Sequence, residues 1–161
     1  MSGSEPKIKK RQTMKRKDAI ELIANASKTL GLVSAQKIEE AETVDGIKVF
    51  LLDNVIQLFK KENELYPTLL CPCIEKYPSV IIDMGAIPYI CKGADIMAPG
   101  IKNIVGDFNE GSLVVIRDIN HKKALAIGKT LKSSNEIKGS NKGKVIQNLH
   151  YIGDKIWTAK T

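Results

Sequence analysis

The N-terminal third of the chain carries an apolar pattern with helical spacing. Residues 17–30 place four apolar side chains on one face of a helix: Ile20, Ile23, Ala24 and Leu30. Asp18 and Glu21 lie in the first turn, where acidic side chains favour a helix, and Gly31 follows as a stop signal. The pattern predicts an amphipathic helix over residues 17–30.

Two apolar runs separated by two turn residues follow this helix. Ile47–Leu52 and Val55–Phe59 are typical of strands, and Asp53-Asn54 between them is typical of a tight turn, so the pattern predicts a β-hairpin. Three prolines, at positions 67, 72 and 78, then mark a connection that ends regular structure. We place a domain boundary near residue 76.

Beyond this connection the chain changes character. Nine of the twelve glycines lie after residue 77, as expected for short strands joined by tight turns. The predicted elements are a strand over Ser79–Met84, one or two helical turns over Gly85–Lys92, a short strand or loop over Ile96–Ile101, and two hairpins, formed by Ser112–Asp118 with Lys123–Thr130 and by Gln147–Ile152 with Lys155–Thr158. This spacing of short strands predicts a small barrel.

The predicted fold class is therefore an α+β N-terminal domain over residues 7–76, followed by a mostly-β pseudobarrel over residues 77–161. Residues 1–6 are expected to be disordered. Residues 7–17 form a basic arm in which Ile8 and Met14 alternate weakly with polar neighbours. Both an edge strand and a disordered tail fit this arm.

Charge is segregated along the chain. The 161 residues have a formal net charge of +7, to which residues 1–17 contribute +6, residues 18–76 −4 and residues 77–161 +5. Basic ends favour an anionic partner, with nucleic acid first, and the alternative is a solvated lysine-rich surface. No apolar run reaches the roughly 18 to 20 residues that span a bilayer, and no signal-peptide core follows the basic N-terminus. We expect a soluble, cytoplasmic protein with no membrane contact.

The candidate metal ligands do not have the spacing of a zinc site. Cys71 and Cys73 are separated by one proline, Cys91 stands alone, and the two histidines, His121 and His150, lie far along the chain. Structural zinc usually takes four ligands that include C-x2–4-C pairs. We therefore expect reduced thiols and no metal.

No catalytic motif is found either. The sequence contains no G-x-S-x-G, Walker, G-x-G-x-x-G or H-E-x-x-H pattern. Cys91 with a histidine, or Asp83 with Asp95, would be the remaining catalytic pairs, but Asp83 is better placed to cap the short helix that follows it. We expect a protein that is not an enzyme and that uses no cofactor.

A glycine-rich segment over residues 83–101 carries the clearest binding signal. Gly93 permits a positive φ or a close approach to a ligand, and Gly100 marks a second turn. Lys92 and Lys102 bracket these glycines, so that a phosphate would meet two ammonium groups and exposed backbone N–H groups. The alternative is an ordinary corner of a barrel.

Several groups of residues in the second half form a combined pattern. They are Asp83-x-Gly85-Ala86, Gly93-Ala94-Asp95-Ile96-Met97-Ala98-Pro99-Gly100, Gly111-Ser112-Leu113-Val114-Val115, Ala126-Ile127-Gly128, the stretch from Glu136 to Gly143, and Leu149-His150-Tyr151-Ile152-Gly153-Asp154-Lys155-Ile156-Trp157. Together they resemble a PUA domain, a small RNA-binding pseudobarrel. Upstream, residues 65–69 (Leu-Tyr-Pro-Thr-Leu) resemble the join in malignant-T-cell-amplified-type and ligatin proteins and their archaeal stand-alone relatives, in which a pre-PUA α+β domain precedes the PUA domain.

This resemblance implies non-catalytic RNA binding, to tRNA or small-subunit rRNA, in translation initiation, reinitiation or ribosome recycling. An accessory role in RNA modification or ribosome biogenesis is the alternative. The resemblance also implies the small ribosomal subunit and a SUI-like protein as partners. It places RNA on the first short helix, the loop after it and the last strand, which here comprise Lys92, Gly93, Ala94, Asp95, Ile96, Met97, Pro99, Gly100, Lys102, Lys155 and Lys160.

Aromatic residues and the basic arm complete the expected RNA surface. Trp157 and His150 are expected to be structural, whereas Tyr89 would either stack on RNA or pack on the barrel. The arm over Lys7–Lys17 is expected to add affinity without sequence preference, because it carries charge and no aromatic residue.

Overall fold

The computed structural model describes residues 7–31 and 33–159. These residues fall into two compact units: one comprises the chain up to Cys73 together with the segment from Lys155 onward, and the other comprises Ile74–Asp154. The division after Cys73 lies close to residue 76, but the segment from Lys155 groups with the first unit. The expected disorder of residues 1–6 and the expected RNA contact at Lys160 lie outside the described residues.

The first unit combines one long helix with an antiparallel sheet. Its elements are β1 (Ile8–Thr13), α1 (Arg16–Thr29), β2 (Ile38–Thr43), β3 (Lys48–Leu52), β4 (Val55–Lys61) and β5 (Glu64–Pro67). The five strands lie in the order β1-β2-β3-β4-β5, so each strand pairs with its neighbour in sequence. Such a meander needs only short connections.

Two tight turns join the last three strands of this sheet. Asp53 and Asn54 between β3 and β4 both have positive φ, at 51° and 70°, as the predicted hairpin requires. Glu62 and Asn63 form a second turn of the same kind between β4 and β5, with φ of 52° and 65°. The first hairpin is confirmed, and the second is an addition to the predicted elements.

Helix α1 is present where the sequence predicts a helix, but its apolar face is different. Its buried residues are Leu22 and Ala26, followed by the buried Leu30 at the C-cap. These positions are spaced four residues apart and therefore lie on one side of the helix. Ile20, which the prediction placed on the apolar face, is 59% exposed. The predicted face is therefore partly wrong: Leu30 is buried as expected, but Leu22 and Ala26 complete the buried face, whereas Ile20 and Ala24 are exposed.

The basic arm is the edge strand of the first sheet, so the tail alternative for residues 8–13 is excluded. β1 pairs antiparallel with β2, which carries three glutamates. Arg11 binds Glu39 through two parallel hydrogen bonds, both of 2.9 Å, and Lys10 Nζ lies 3.5 Å from Glu42 Oε2. Part of the positive charge of the arm is thus neutralised by the adjacent strand and is less available to an external anion.

We expect Arg11→Gln to lower the melting temperature at neutral pH. The hydrogen bonds from Arg11 hold the pKa of Glu39 below its usual value. A carboxylate with a lowered folded pKa stabilises the protein above its unfolded pKa, about 4.3, and this stabilisation is lost as the pH falls through the folded value. The difference in melting temperature between the parent and Arg11→Gln should therefore be largest near pH 7 and should shrink below about pH 4.

Thermal melts followed by circular dichroism at about pH 7 and about pH 3 measure this difference. Lys10→Gln is the matched control, because the Lys10 side chain is largely solvated and such pairs contribute little. It should change the melting temperature less than Arg11→Gln. Equal effects of the two variants, or an Arg11→Gln effect that does not depend on pH, would contradict the prediction.

The second unit is a mixed sheet with short helical segments. Its elements are β6 (Ser79–Ile82), α2 (Ile87–Ile90), β7 (Ile96–Met97), β8 (Ile101–Val105), β9 (Leu113–Asp118), β10 (Ala124–Thr130), α3 (Ser134–Lys138) and β11 (Lys144–Tyr151). The six strands lie in the order β7-β11-β10-β9-β6-β8, and β6 with β9 is a parallel pair. The hairpin of β9 and β10 is confirmed.

One apolar core lies beneath this second sheet. Its buried members are Val80, Ile82, Ile90, Ile96, Ala98, Phe108, Val114, Ile116, Leu125, Ala126, Ile137, Val145 and Ile146. Ile90 and Ile96 come from the segments on either side of the loop at residues 91–95, so this loop is fixed to the core at both ends. The binding segment singled out in the sequence is therefore held on a packed base.

The predicted hairpin at the C-terminus is wrong. Residues 155–158 form the short helix α4 (Lys155–Thr158), and not the second strand of a hairpin with residues 147–152. The preceding strand β11 ends at Tyr151, whose N–H donates a hydrogen bond to the carboxylate of Asp154 (3.0 Å); the same carboxylate lies 2.7 Å from Nδ1 of His150. These hydrogen bonds stabilise the turn after the strand, and Lys155 begins a helix that groups with the first unit. Across the described residues, no helix is both long and apolar enough to cross a membrane.

Candidate functional site

A cavity of about 440 Å3 opens beside α2 in the second unit. The residues that line it are Ile82, Ala86, Tyr89, Ile90, Ala94, Asp95, Ile96, Met97, Gly100 and Lys144. Most of these side chains are apolar, and Asp95 and Lys144 supply charge. An apolar cavity with a few convergent polar groups is the usual form of a ligand site.

The wall formed by α2 begins at the end of β6. The backbone N–H of Asp83 donates to the carbonyl of Gly100 (3.0 Å), and the N–H of Ala86 donates to the carbonyl of Asp83 (3.0 Å). The Asp83 side chain makes no capping hydrogen bond. The predicted capping role of this carboxylate is therefore wrong, and the backbone of Asp83 makes the connection instead.

Asp95 holds the opposite wall together. Its Oδ1 accepts a hydrogen bond from the backbone N–H of Asn148 (2.8 Å), and its Oδ2 lies 3.3 Å from Nζ of Lys144. The side-chain amide nitrogen (Nδ2) of Asn148 donates hydrogen bonds to the backbone carbonyls of Ile90 (3.1 Å) and Ala94 (3.0 Å). Asp95 is thus a positioning residue that ties the loop to β11 and orients the Lys144 ammonium at the cavity.

Gly93 closes the turn that follows α2. Its φ is +98°, its N–H donates to the carbonyl of Ile90 (3.0 Å), and the N–H of Ala94 donates to the carbonyl of Tyr89 (3.0 Å). This pair of hydrogen bonds around a left-handed glycine is the Schellman pattern at a helix C-terminus. The N–H of Lys92 also donates to the Tyr89 carbonyl. The N–H groups of residues 92–94 are therefore engaged within this turn, and contact of the loop with a phosphate stays a prediction.

Gly93→Ala is expected to lower the free energy of unfolding by about 1–2 kcal/mol, the usual cost of a left-handed backbone for a residue with a side chain. The added Cβ would also lie 3.2 Å from the hydroxyl oxygen of Tyr151. Gly100→Ala is the matched comparison, because Gly100 has no positive φ, lines the cavity, and would place its Cβ 3.6 Å from that of Ala86. In melting curves, Gly93→Ala should be less stable than Gly100→Ala. In RNA titrations, Gly100→Ala should be the variant that loses affinity. A Gly93→Ala protein that melts like the parent but binds RNA poorly would contradict this role.

The structure brings together only part of the residue set expected to bind RNA. Ala94, Asp95, Ile96, Met97 and Gly100 line the cavity. The others do not line it: Lys92, Gly93, Pro99, Lys102 and Lys155. Sequence reasoning missed Lys144 and left the role of Tyr89 open. Tyr89 lies at the cavity with 68% of its surface exposed, which favours the stacking alternative over packing on the barrel.

The thiols of Cys71 and Cys91 are not activated by their surroundings. Cys71 and Cys73 are buried, with their sulfur atoms 2.8 Å apart, and the hydrogen bond between the two thiols together with burial raises the pKa of Cys71. Burial also raises the pKa of Cys91. Raised pKa values keep these thiols protonated and weakly nucleophilic. Within the described part of the chain, no group of three or more His, Cys, Asp or Glu residues is placed to hold a metal ion.

Comparison with known proteins assigns the family. A model of the PUA domain matches residues 78–152. Translation machinery-associated protein 20 of Saccharomyces cerevisiae is 36% identical over 129 residues, which cover 75% of this chain and 71% of that protein. The chain belongs to the PUA-domain family. Malignant T-cell-amplified sequence 1-B of Xenopus laevis is 31% identical to this PUA-domain protein over 123 residues, 71% of this chain and 67% of that one.

A solved structure extends the similarity to nearly the whole chain. A hypothetical protein from Pyrococcus horikoshii OT3 superposes with a TM-score of 0.76 at 28% identity, covering 94% of this chain and 99% of that one. The resemblance to malignant-T-cell-amplified-type PUA proteins is confirmed. All residues that line the cavity lie within the matched PUA domain, whereas Lys155 lies beyond it.

Proposed function

We propose that this PUA-domain protein binds RNA without catalysing a reaction on it, and that the cavity beside α2 holds one unpaired nucleotide. The observation that carries the proposal is the combination of an exposed Tyr89 ring, apolar walls and the Lys144 ammonium at a single cavity. Sequence-tolerant recognition of single strands uses aromatic side chains for the bases and cations for the backbone. Ends and loops of RNA supply such bases, because these are free of a partner strand.

The surroundings of Cys91 and Asp95, two of the candidate catalytic residues in the sequence, fit a binding role better than a catalytic one. The thiol of Cys91 has a raised pKa, and the carboxylate of Asp95 is occupied by Asn148 and Lys144. A general base or nucleophile needs a group that is free to reach a substrate proton or atom. The charged residues of the cavity act instead as a positioned ion pair whose cation meets the ligand.

The RNA is tRNA or small-subunit rRNA in this proposal, and the process is translation initiation, reinitiation or ribosome recycling in the cytoplasm. Support comes from the similarity to proteins named for the translation machinery. The small ribosomal subunit and a SUI-like protein are the proposed partners, and residues 7–76 are the proposed pre-PUA α+β domain. An accessory role in RNA modification or ribosome biogenesis is the competing outcome of the test.

Ultraviolet cross-linking in a cell extract, followed by sequencing of the attached RNA, tests this proposal. The parent protein should yield tRNA or small-subunit rRNA, and Tyr89→Ala should yield much less of the same RNA. Recovery of guide RNAs or ribosome precursors would assign the protein to modification or biogenesis instead. Equal recovery with the parent and Tyr89→Ala would refute the cavity as the RNA site.

A further inference from the structure

A second cavity, of about 310 Å3, lies in the same unit as the first. It is lined by Ala98, Ile101, Lys102, Asn103, Ile104, Ile137, Lys138 and Ser140. The 3-10 turn Ala98–Gly100 borders both cavities, because Gly100 and the preceding Met97 line the first, and Ala98 and the following Ile101 line the second. Because the two cavities share this turn, a short stretch of the RNA backbone would lead from a nucleotide in the first cavity to the second cavity.

Among the described residues that line the second cavity, the charged ones are two lysines. Lys102 and Lys138 are both exposed, and neither makes an ion pair with another described residue. No carboxylate is found among the described residues that line the cavity. Two ammonium groups at one cavity without a counter-charge favour an anion.

The carboxylate nearest in sequence to Lys138 is held elsewhere. Glu136 accepts a hydrogen bond from the backbone N–H of Ser133 (3.1 Å), while the Ser133 hydroxyl accepts one from the N–H of Glu136 (3.2 Å). This capping box fixes Glu136 at the N-terminal end of α3, and the hydrogen bond from the Ser133 backbone lowers the pKa of Glu136. Lys138, at the other end of the helix, therefore keeps its charge for a ligand.

Asn103 adds a neutral donor to the two lysines. Its Oδ1 accepts a hydrogen bond from the backbone N–H of Ile104 (2.9 Å), which leaves the Nδ2 amino group without a partner among the described residues. The lining thus offers two ammonium groups and one amide donor above an apolar floor that includes the buried Ala98 and Ile137. Phosphate oxygens accept from donors of both kinds.

We propose that the cavity between Lys102 and Lys138 binds a backbone phosphate of the RNA strand whose neighbouring nucleotide occupies the first cavity. This inference rests on the proposed function, and it adds a second, phosphate-selective contact. The sequence grouped Lys102 with Lys92 and the glycine-rich loop. The structure instead pairs Lys102 with Lys138, which lies 36 residues further along the chain.

The test is the salt dependence of binding to one short single-stranded RNA, measured by fluorescence anisotropy. Each lost phosphate contact reduces the slope of log K against log salt by about 0.7 for a single strand. We expect the double variant Lys102→Gln/Lys138→Gln to lose about one such contact, not two, because both lysines bind the same phosphate. Lys76→Gln, an exposed lysine of the same unit that does not line the cavity, should leave the slope unchanged. The proposal would be overturned if the slope of log K against log salt were unchanged in the double variant, or if it fell by no more than the slope of Lys76→Gln.

Replacing single RNA phosphates with uncharged methylphosphonates locates the contact. One position should lower the slope for the parent and have no effect on the double variant. Equal sensitivity of both proteins at every position would refute a phosphate site at these lysines. If the effect of the lysines disappears when a terminal phosphate is removed, the site binds a terminal phosphomonoester, and the backbone assignment is wrong.

The outcomes separate this proposal from the proposed function. If the parent fails to bind RNA, or if Tyr89→Ala binds like the parent, the first cavity is not the RNA site and the proposed function fails. If Tyr89→Ala weakens binding but the double lysine variant behaves as the parent, only the phosphate site is wrong.

Discussion

Replacing Tyr89 with alanine is expected to weaken RNA binding by about 5- to 150-fold and to leave the melting temperature nearly unchanged. Stacking of a base on an aromatic side chain is worth about 1–3 kcal/mol, and each 1.4 kcal/mol is a factor of about ten in affinity. Tyr89 is largely exposed at the cavity, so its removal takes little from the core. Titration of a short single-stranded RNA, with melts of the same preparations, measures both quantities.

Two control variants separate stacking from other effects of this change. Tyr89→Phe keeps the ring and removes only the hydroxyl group, so it should bind like the parent. Val105→Ala removes another exposed apolar side chain of the same unit, away from the cavity, and should also bind like the parent. Equal weakening by Tyr89→Phe and Tyr89→Ala would show that the hydroxyl and not the ring carries the contact. Full affinity of Tyr89→Ala would refute stacking altogether.

The salt dependence adds a further distinction. Loss of a stacked base removes no phosphate contact, so the slope of log K against log salt should be the same for Tyr89→Ala and the parent. Lys144→Gln should reduce both the affinity and the slope, because the Lys144 ammonium is the cation at the cavity. The two variants therefore weaken binding in ways that one set of titrations distinguishes.

Local turn chemistry made part of the fold predictable. The hairpin at Asp53-Asn54 follows from residues that tolerate a left-handed backbone, and the structure has both in that conformation. Glu62-Asn63 forms the same kind of turn, but glutamate gives no such signal, so β5 was missed. α3 was also missed, although the S-x-x-E spacing of Ser133 and Glu136 is the signature of a capping box. The local sequence therefore does indicate the start of α3.

Contacts between distant residues explain most of the other differences. β2 is rich in glutamate, which strands disfavour, and it is stabilised by Arg11, 28 residues away from its partner Glu39. Lys144 reaches the candidate site through its ion pair with Asp95, and nothing in the sequence near Lys144 indicates that pairing. The glycine-rich segment predicted to bind RNA lies at a cavity that Ala94, Asp95 and Ile96 line, and its contact with RNA stays a prediction. The role of Gly93 was open, since a positive φ serves a helix end as well as a ligand loop.

Gly128→Ala is expected to destabilise the protein by about 1–3 kcal/mol, the usual cost of overpacking a core. Gly128 is buried in the middle of β10, opposite Asn148 of β11. A Cβ at this position would lie 2.5 Å from Cγ2 of Ile146 and 3.3 Å from the carbonyl oxygen of Gln147. Ile146 is fully buried and its Cγ2 is attached directly to Cβ, so this methyl group cannot swing away without moving the backbone. Thermal melts should show a fall of about 2–4 °C for each kcal/mol lost.

Gly139→Ala provides the matched control for this substitution. Gly139 is exposed at the C-cap of α3, its φ is −87°, and the nearest atom to an added Cβ is the carbonyl oxygen of Asn135 at 3.7 Å. Alanine is therefore expected to be tolerated there. A Gly128→Ala protein that melts like Gly139→Ala would contradict the close approach of β10 to β11.

Removing the opposing methyl group should relieve the clash at Gly128. Ile146→Ala alone leaves a cavity and is expected to cost about 2–5 kcal/mol. In the double variant, the new alanine methyl at position 128 occupies part of the space vacated by Cγ2, so the combined loss should be smaller than the sum of the two single losses. Additive losses would show that the cost of Gly128→Ala arises from something other than contact with Ile146.

The clash at Gly128 should also lower RNA affinity. Gly128 pairs with Asn148, which holds the loop through its hydrogen bonds to Ile90 and Ala94. At temperatures well below the melting temperature, Gly128→Ala should therefore bind RNA more weakly than the parent, and the double variant that relieves the clash should regain affinity.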